Sequence, residues 1–425
     1  MSMPHTATRG LRGTGTSRGR TQLGPALALI HGGRAPTRAA LGASLGVTRA
    51  TAGAVAAELQ ALGLIQVDTN PGTPGNPGTP GTPGGGTLGR PSHRLTINPD
   101  GPVALAAQIH PDGYQIALVG LGGQVFAAEN RTLAMPDDPE PALASVARAG
   151  ARLLRSAGRG CVGAGLAVPS AVAEPDGAAV SPLSVGWPNG ARIRDIFTAQ
   201  VQQAGITSSA GLAAVCLAAN DINLAALAEH RHGAGRGARH LLVVATGHRG
   251  VGGALVLDGA LYTGSSGLGM EAGHVSVDPR GRPCRCGSRG CLDVETDALS
   301  LLDAASRAPR PGVSVLEQAR ALVRHEYAMD TAVRAAAGVV MERLGLGLAG
   351  LINVLNPDRI LLGGLHRDLL AADPERLRAA VAARSPWGRG SSVPVLGCAL
   401  ENGSLIGAAE LAWQPVLDDP ALLDA

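Results

Sequence analysis

Three of the chain's six cysteines lie within eight residues, in the stretch CRCGSRGC. They are Cys284, Cys286 and Cys291, and His274 lies ten residues before the first of them. Three thiolates and one imidazole form a complete tetrahedral ligand set for Zn²⁺. Because no position would remain open for an activated water, this spacing predicts a structural zinc ion rather than a catalytic one. Redox-active thiols are the alternative, although redox motifs usually place two residues between their cysteines.

A second group of polar residues lies in the segment LAANDINLAALAEH, just before a clear helical pattern. Asn220, Asp221 and Asn223 belong to this group. An Asn or Asp at such a place most often caps the helix that follows. Alternatively, the amide and the carboxylate lie on the floor of a cleft and bind the hydroxyl groups of a ligand, or Asp221 acts as a general base.

The elements around these residues indicate an α/β body. The stretches VALAAQI, YQIALVG and GQVFAAE, which begin at Val103, read as three short strands. A helix near residues 141–156 and a buried strand at residues 161–168 follow them. A similar series begins at Leu241 with LLVVAT and GGALVLDG. Two such series predict a duplicated body with a ligand cleft between two lobes.

The N-terminal hundred residues predict a different module. A short apolar pattern at residues 25–30, with Pro25 in its first turn, precedes two helical runs joined by a turn. Gly46 permits this tight turn, and the hydroxyl of Thr48 can cap the second of the two helices. This is the spacing of a helix-turn-helix, and its apolar seam would consist of Leu41, Leu45, Val55, Leu59 and Leu62.

Two short strands, at residues 64–67 and 92–97, follow the helices. The segment between them contains PGTPGNPGTPGTPGGG, which suits neither a helix nor a strand and is expected to form the long flexible tip of a wing. Near its end, Arg90 lies in a Gly-Arg-Pro turn. One guanidinium on a narrow turn suits the negative potential of the DNA minor groove.

Charge is distributed unevenly along the chain. Residues 1–100 contain nine Arg against Glu58, Asp68 and Asp100, which gives +6, so the remaining 325 residues sum to −3 for an overall +3. A basic front end indicates an anionic partner. The sequence shows neither an apolar signal segment nor a run expected to span a bilayer, so we predict a cytoplasmic protein without membrane contact, whose thiols stay reduced.

These motifs resemble those of the ROK family of sugar repressors and sugar kinases. MEAGHVSVDPRGRPCRCGSRGCLDVE resembles the family's zinc motif, NDINLAALAE its sugar-site helix, and INVLNPDRILLGG its late cleft motif. The front end, with its Gly-Arg-Pro turn, resembles the winged helix of the repressor branch. The resemblance runs from about residue 22 to the C-terminus.

The resemblance implies an N-terminal winged helix-turn-helix followed by a two-lobed, actin-like body of the ribonuclease H and sugar kinase type. The expected domains are an Arg-rich disordered tail at 1–20, a DNA-binding domain at 21–98 with its wing tip at 69–88, a first lobe at 102–222 and a second lobe at 223–425. The C-terminal helix is expected to pack back on the first lobe.

The resemblance also assigns roles by position. Residues that match family sugar contacts are Asn220, Asp221, Glu271, His274 and Asp293, of which Asp293 replaces the usual Glu. The residue matching Asp221 is the catalytic base in the kinases, and His274 would also bind the zinc ion together with Cys284, Cys286 and Cys291. Predicted DNA contacts are Arg38, Thr48, Arg49, Thr51 and Arg90.

Two departures from the kinases predict that ATP binding and kinase activity are lost. Where the family kinases carry Asp-x-Gly-Gly-Thr, this chain reads QIHPD at residues 108–112. The carboxylate is gone, and glycines that let a backbone approach phosphate are replaced. In the second phosphate loop, HRGVGG at residues 248–253, Arg249 replaces a Thr.

The sequence therefore predicts a sugar-responsive DNA-binding regulator, acting as a repressor and assembled as a homodimer or tetramer. It would bind operator DNA, a sugar or sugar derivative as effector, and structural zinc. Two alternatives remain: a sugar kinase with an appended DNA-binding domain, and a constitutive DNA-binding protein that has lost sugar sensing.

Overall fold

The computed structural model describes residues 17–68, 93–180, 185–208, 214–248, 250–386 and 392–423, with only the backbone described for residues 17–21. The chain divides into two compact units. Unit 1 contains Met1–Pro102 and Gln414–Ala425, and unit 2 contains Val103–Trp413.

The described N-terminal residues of unit 1 form three helices and a two-stranded ribbon: α1 (Ser17–His31), α2 (Arg38–Leu45), α3 (Arg49–Ala61), β1 (Ile65–Asp68) and β2 (Arg94–Ile97). The strands pair antiparallel, with Ile65 opposite Ile97. This arrangement confirms the predicted winged helix-turn-helix. The predicted wing tip, and Arg90 within it, lie outside the described residues.

The turn between α2 and α3 forms for the predicted reasons. Gly46 ends α2 with a φ of 64°, in the left-handed region that favours glycine. The Thr48 hydroxyl accepts a hydrogen bond from the backbone N–H of Thr51 at 3.2 Å and so caps α3. Of the predicted apolar seam, Leu41, Val55 and Leu59 are buried, whereas Leu45 and Leu62 are half-buried.

The prediction for Pro25 was wrong. Helix α1 begins at Ser17, inside the segment expected to be a disordered tail, so Pro25 lies in the helix interior rather than in its first turn. The ring of Pro25 is exposed, while Leu23, Ala26 and Leu27 around it are buried. Proline cannot donate a backbone hydrogen bond, so Pro25 weakens the helix locally. Burial of the neighbouring apolar side chains stabilises the helix enough for it to extend past this residue.

The first lobe of unit 2 contains β3 (Val103–His110), β4 (Gly113–Val119), β5 (Val125–Thr132), α4 (Pro139–Ala157), β6 (Cys161–Val168), β7 (Ala171–Ala173), β8 (Ala178–Val180), α5 (Ile193–Gln203) and β9 (Val215–Asn220). Its five-stranded sheet has the order β5-β4-β3-β6-β9. The interior strand β6 pairs parallel to both of its neighbours, β3 and β9, and is buried along its whole length, which explains its unbroken apolar sequence.

The second lobe repeats this plan. It contains α6 (Asp221–His232), β10 (His240–Thr246), β11 (Val251–Leu257), β12 (Ala260–Leu261), α7 (Leu292–Thr296), α8 (Ala298–Ala304), α9 (Val315–Glu326), α10 (Thr331–Leu355), β13 (Arg359–Gly363), α11 (Leu365–Ala372), α12 (Pro374–Ala382), β14 (Val395–Gly397) and α13 (Gly403–Asp418). Its sheet order, β12-β11-β10-β13-β14, matches that of the first lobe strand for strand. The predicted duplicated α/β body is therefore present.

Helix α13 returns to the first lobe. The indole N–H of Trp413 donates a 3.0 Å hydrogen bond to the carbonyl of Val119 in β4. A Cβ on Gly165 of β6 would lie 1.8 Å from the carbonyl oxygen of Ala408, so this glycine allows the helix to lie directly on the sheet. The first sheet is thus covered by a helix from the end of the chain.

Helix α10 departs from the expectation that no segment is long and apolar enough to span a bilayer. By length and composition, Thr331–Leu355 meets that description. However, 61% of its apolar window is buried within the protein, and residues such as Met341, Leu344 and Leu348 belong to the core of the second lobe. Its apolar character is therefore explained by packing against other helices of that lobe.

Candidate functional site

A cavity of about 440 Å³ opens where parallel strands of both sheets end. Carboxyl ends of strands are where α/β sheets usually bind ligands, because the chain there leaves the sheet in loops and helix N-termini. The lining residues are Pro169, Ser170, Ala171, Val180, Asn220, Asp221, Ile222, Gly247, His248, Gly250, Val251, Gly252, Leu268, Glu271, His274, Arg285, Cys286 and Asp293. All five predicted ligand-binding residues are among them.

Asn220 and Asp221 lie at the junction of β9 and α6. The Asn220 side-chain oxygen accepts hydrogen bonds from the backbone N–H groups of Ile222 and Asn223, at 2.9 and 3.1 Å, and so caps α6. Its amide nitrogen donates to the Ser170 carbonyl at 3.2 Å. The structure thus realises the capping interpretation of Asn220, while the residue also lines the cavity.

Asp221 is a buried carboxyl group in the cavity wall, with 6% of its surface exposed. Burial raises its pKa from 3.8 to about 7, although the backbone N–H of Ile222 partly opposes this by donating to Oδ1 at 2.9 Å. Near neutral pH the group therefore exists in both protonation states. It can accept a proton or hydrogen bond from a ligand hydroxyl, or donate one to it.

The side chains of His274, Cys284, Cys286 and Cys291 converge so that one donor atom of each lies within 4.8 Å of the others. His274 Nδ1 lies 3.7 Å from Cys284 Sγ, and Cys286 Sγ lies 3.6 Å from Cys291 Sγ. Tetrahedral sulfur ligands about 2.3 Å from a zinc ion stand roughly 3.8 Å apart. The donor set therefore fits Zn²⁺ in both chemistry and spacing.

Tight turns bring these thiols together. Gly287 and Gly290 have φ values of 92° and 61°, and a Cβ on Gly290 would lie 1.6 Å from the Asp278 carbonyl oxygen. Within the loop, the Cys284 N–H donates to the Ser288 carbonyl at 2.8 Å. The glycines are required because the chain folds back on itself within a few residues.

Glu271 and Asp293 join the cysteine loop to the cavity. The carboxylate of Glu271 is half-exposed and lies 4.0 Å from His274 Nε2. Asp293 Oδ1 accepts a 2.6 Å hydrogen bond from the Val251 N–H at the start of β11. Asp293 therefore lines the cavity and also holds the cysteine loop against β11. The sequence did not predict this second, structural role.

Two histidines meet at the ends of corresponding strands in the two lobes. The rings of His110, the last residue of β3, and His248, which follows β10, stack with centroids 4.7 Å apart and planes 15° apart. Burial, followed by the proximity of His248, lowers the pKa of His110 to about 4, with Asp112 opposing the shift. Burial also lowers the pKa of His248. Sequence reasoning singled out both loops but did not predict this contact.

The predicted DNA-binding residues in the described part of unit 1 cluster around the N-terminus of α3. Arg49, the first residue of this helix, is exposed. The hydroxyls of Thr48 and Thr51 lie 3.0 Å apart and bond each other. Arg38 is half-buried, and a Cβ on Gly53 would lie 3.9 Å from its Nη1, so the guanidinium lies against α3.

The duplicated body has counterparts among known proteins. The sequence profile of the ROK family matches residues 111–414. The chain belongs to the ROK family. A similar fold is found in a solved ROK-family transcriptional regulator that is described as a homologue of the Escherichia coli Mlc protein. That structure superposes with a TM-score of 0.71 at 20% identity over 96% of this chain and 98% of its own.

Both branches of the ROK family are represented among the relatives. A glucokinase of Halalkalibacterium halodurans is 32% identical over 34% of this chain and 47% of its own length. The transcriptional dual regulator NagC of Escherichia coli is 28% identical over 48% of this chain and 51% of its own. The chain thus spans about half the length of these curated relatives. A ROK glucokinase structure from Streptomyces griseus covers 73% of this chain, with a TM-score of 0.61 and 22% identity over 99% of its own length.

Proposed function

We propose that this ROK protein is a DNA-binding transcriptional regulator, acting as a repressor and working as a homodimer, whose cleft binds a sugar effector. The observation that carries the proposal is the presence, in one chain, of a winged helix-turn-helix and a ligand cavity lined by Asn220, Asp221 and Glu271. The match to the Mlc-like regulator over 96% of the chain, against 73% for the glucokinase, supports it.

The cavity suits a polyhydroxylated ligand. Its polar side chains include a buried carboxyl group, Asp221, and two further carboxylates, Glu271 and Asp293. Carboxylates and amides are effective partners for sugar hydroxyls because each oxygen accepts more than one hydrogen bond. Asn220 and Asp293 both accept hydrogen bonds from backbone N–H groups, so the fold itself fixes their positions in the cavity wall.

The zinc ion would be held by His274, Cys284, Cys286 and Cys291. With four protein ligands it supplies structural rigidity rather than an activated water. His274 and Cys286 both line the cavity, so the same loop would position the cleft wall. We infer that a sugar that contacts Glu271 and His274 biases this wall toward one conformation.

Such a ligand acts on DNA binding only through its different affinities for two conformations of the protein. We propose that the sugar favours a closed cleft in which the paired winged helices fit their operator less well. In the DNA-bound form, the N-terminus of α3 would enter the major groove with Arg49. Arg90 would enter the minor groove.

A second candidate function, sugar phosphorylation, has one supporting observation. The raised pKa of Asp221, about 7, suits a general base. Against it, two imidazole rings fill the space between the β3–β4 turn and the loop after β10, where the kinases of the family hold phosphate groups. Sugar-dependent ADP formation, measured for the wild type and for Asp221→Asn, distinguishes the two functions, since only a kinase shows activity that the variant loses.

The proposal is tested with purified, zinc-loaded protein on labelled DNA from upstream of its own gene. Fluorescence anisotropy is measured at one fixed salt concentration, because affinity for DNA depends steeply on salt. Hexoses, pentoses, amino sugars and their phosphates are then added in turn. Tight binding that one sugar reverses is expected. Tight binding that no sugar changes would instead support a constitutive regulator.

A further inference from the structure

Beside the cleft lies a second group of metal-ligating side chains that the proposed function does not use. His110 and Asp112 belong to the turn between β3 and β4, and His248 follows β10 in the other lobe. One ring nitrogen of each histidine and a carboxylate oxygen of Asp112 lie within 4.8 Å of one another. These three residues, here called the His110 cluster, bring together strands from two different sheets.

One ring nitrogen of each histidine in this group lacks a hydrogen-bond partner among the described residues. Nδ1 of His110 and Nδ1 of His248 are both buried and have no hydrogen-bond partner within the part of the chain that the structure describes. A buried polar atom left without a partner destabilises the folded state, because its hydrogen bonds to water are lost and not replaced. Two such atoms in one stacked pair are unusual, because native proteins satisfy most buried polar groups.

We propose that the His110 cluster is a second metal site, which binds a divalent transition-metal ion such as Zn²⁺, Co²⁺ or Ni²⁺. Two imidazoles and one carboxylate form a ligand set suited to these ions, and neutral imidazole is the form that coordinates them. One donor atom of each residue already lies within 4.8 Å of the others, so the three can face a single ion. Since Asp112 is exposed, the ion has a path from solvent and room for a water ligand.

The site differs in chemistry from the cysteine site. It contains nitrogen and oxygen donors without sulfur, and its three ligands leave at least one position open. An ion there would join the ends of β3 and β10 across the mouth of the cleft. If the proposed effector site is correct, ion and effector would change each other's affinity by the same factor. Ion binding itself does not depend on that function.

Cobalt titration of the full-length protein tests the site. Thiolate-bound Co²⁺ gives strong sulfur-to-metal charge-transfer bands, whereas a nitrogen and oxygen site does not. We expect wild type to bind a second Co²⁺ equivalent, beyond the one held by the cysteine site, without a further rise in those bands. His110→Ala and His248→Ala are each expected to bind only the first equivalent, and Asp112→Asn to bind the second more weakly.

The matched control is His325→Ala, which removes an exposed histidine of α9 and should keep both equivalents. Asp112→Asn alters an exposed side chain with little change in shape, so it stays informative if a histidine variant does not fold. A single Co²⁺ equivalent in the wild type would overturn the proposal. So would a second equivalent that persists in both histidine variants.

Discussion

The backbone N–H of Val251 donates a 2.6 Å hydrogen bond to Oδ1 of Asp293. Val251 begins β11 beside the cavity, and Asp293 lies two residues after Cys291. The carboxylate therefore ties the cysteine loop to the second sheet. Gly250 has a φ of 88°, and a Cβ there would lie 2.2 Å from the same oxygen, so the chain leaves no room for a side chain at this contact.

Asp293→Ala is expected to destabilise the protein by about 1–3 kcal/mol, because it leaves the N–H of Val251 without its acceptor. Asp293→Asn keeps an acceptor oxygen, so its free energy of unfolding should decrease by less than half as much. Urea unfolding of zinc-loaded protein measures both. Equal losses in the two variants would show that the carboxylate charge, rather than this hydrogen bond, provides the stability.

The cysteine loop is expected to lose its zinc ion when one ligand is removed. Cys286→Ser should remove from purified protein the one zinc equivalent that the cysteine loop holds and lower the melting temperature, because metal binding contributes directly to folding stability. Metal content is measured by atomic emission. Cys398→Ser is the matched control, since Cys398 lies outside the cluster and should keep the ion. Full zinc content in Cys286→Ser would contradict the assigned ligand set.

Asp221 is expected to make the free energy of unfolding decrease as the pH rises. Its folded-state pKa is about 7 against 3.8 ordinarily, so the folded protein binds this proton more tightly than the unfolded chain. Stability from this group is complete below about pH 4 and decreases as pH rises toward 7, by at most roughly 1.4 kcal/mol per pH unit. Asp221→Asn should remove this decrease. The test is the difference in unfolding free energy between the two proteins from pH 5 to 8, and a flat difference would contradict the shift.

Arg49 is expected to contribute to DNA affinity through a phosphate or base contact, because it is exposed at the N-terminus of α3. Arg49→Ala should weaken binding and, if the contact is with phosphate, reduce the slope of log affinity against log salt by about 1. Anisotropy at several salt concentrations measures both quantities. Arg378→Ala, which removes an exposed charge from α12 of the body, should change neither. Identical effects of the two substitutions would rule out a specific role for α3.

Elements with strong local patterns could be predicted from the sequence. Strand β6 was predicted with its exact bounds because eight consecutive small or apolar residues are typical of a strand buried on both faces. The turn at Gly46 and the Thr48 cap follow from local chemistry. The three-residue strands β7 and β8 were not predicted, because segments so short carry no readable alternation.

The candidate site was predictable only in part. The spacing of the cysteines alone indicated a metal site, because most of its ligands lie in one short loop. The hydrogen bond between Asp293 and Val251 and the stacking of His110 on His248 join residues far apart in sequence. Neither contact leaves a local pattern. The replaced glycines at residues 108–112 and the altered loop at residues 248–253 did point to these positions, but not to their proximity.

If the proposed function is correct, occupancy of the cleft controls binding to DNA. The decisive measurement compares wild type with Asp221→Ala on the same DNA, with the sugar that releases the wild type. We expect Asp221→Ala to bind the DNA as tightly as wild type without sugar, but to need at least about tenfold more sugar for release, since one hydrogen bond to a charged group contributes about 1.5–3 kcal/mol. Release of both proteins at the same sugar concentration would contradict it.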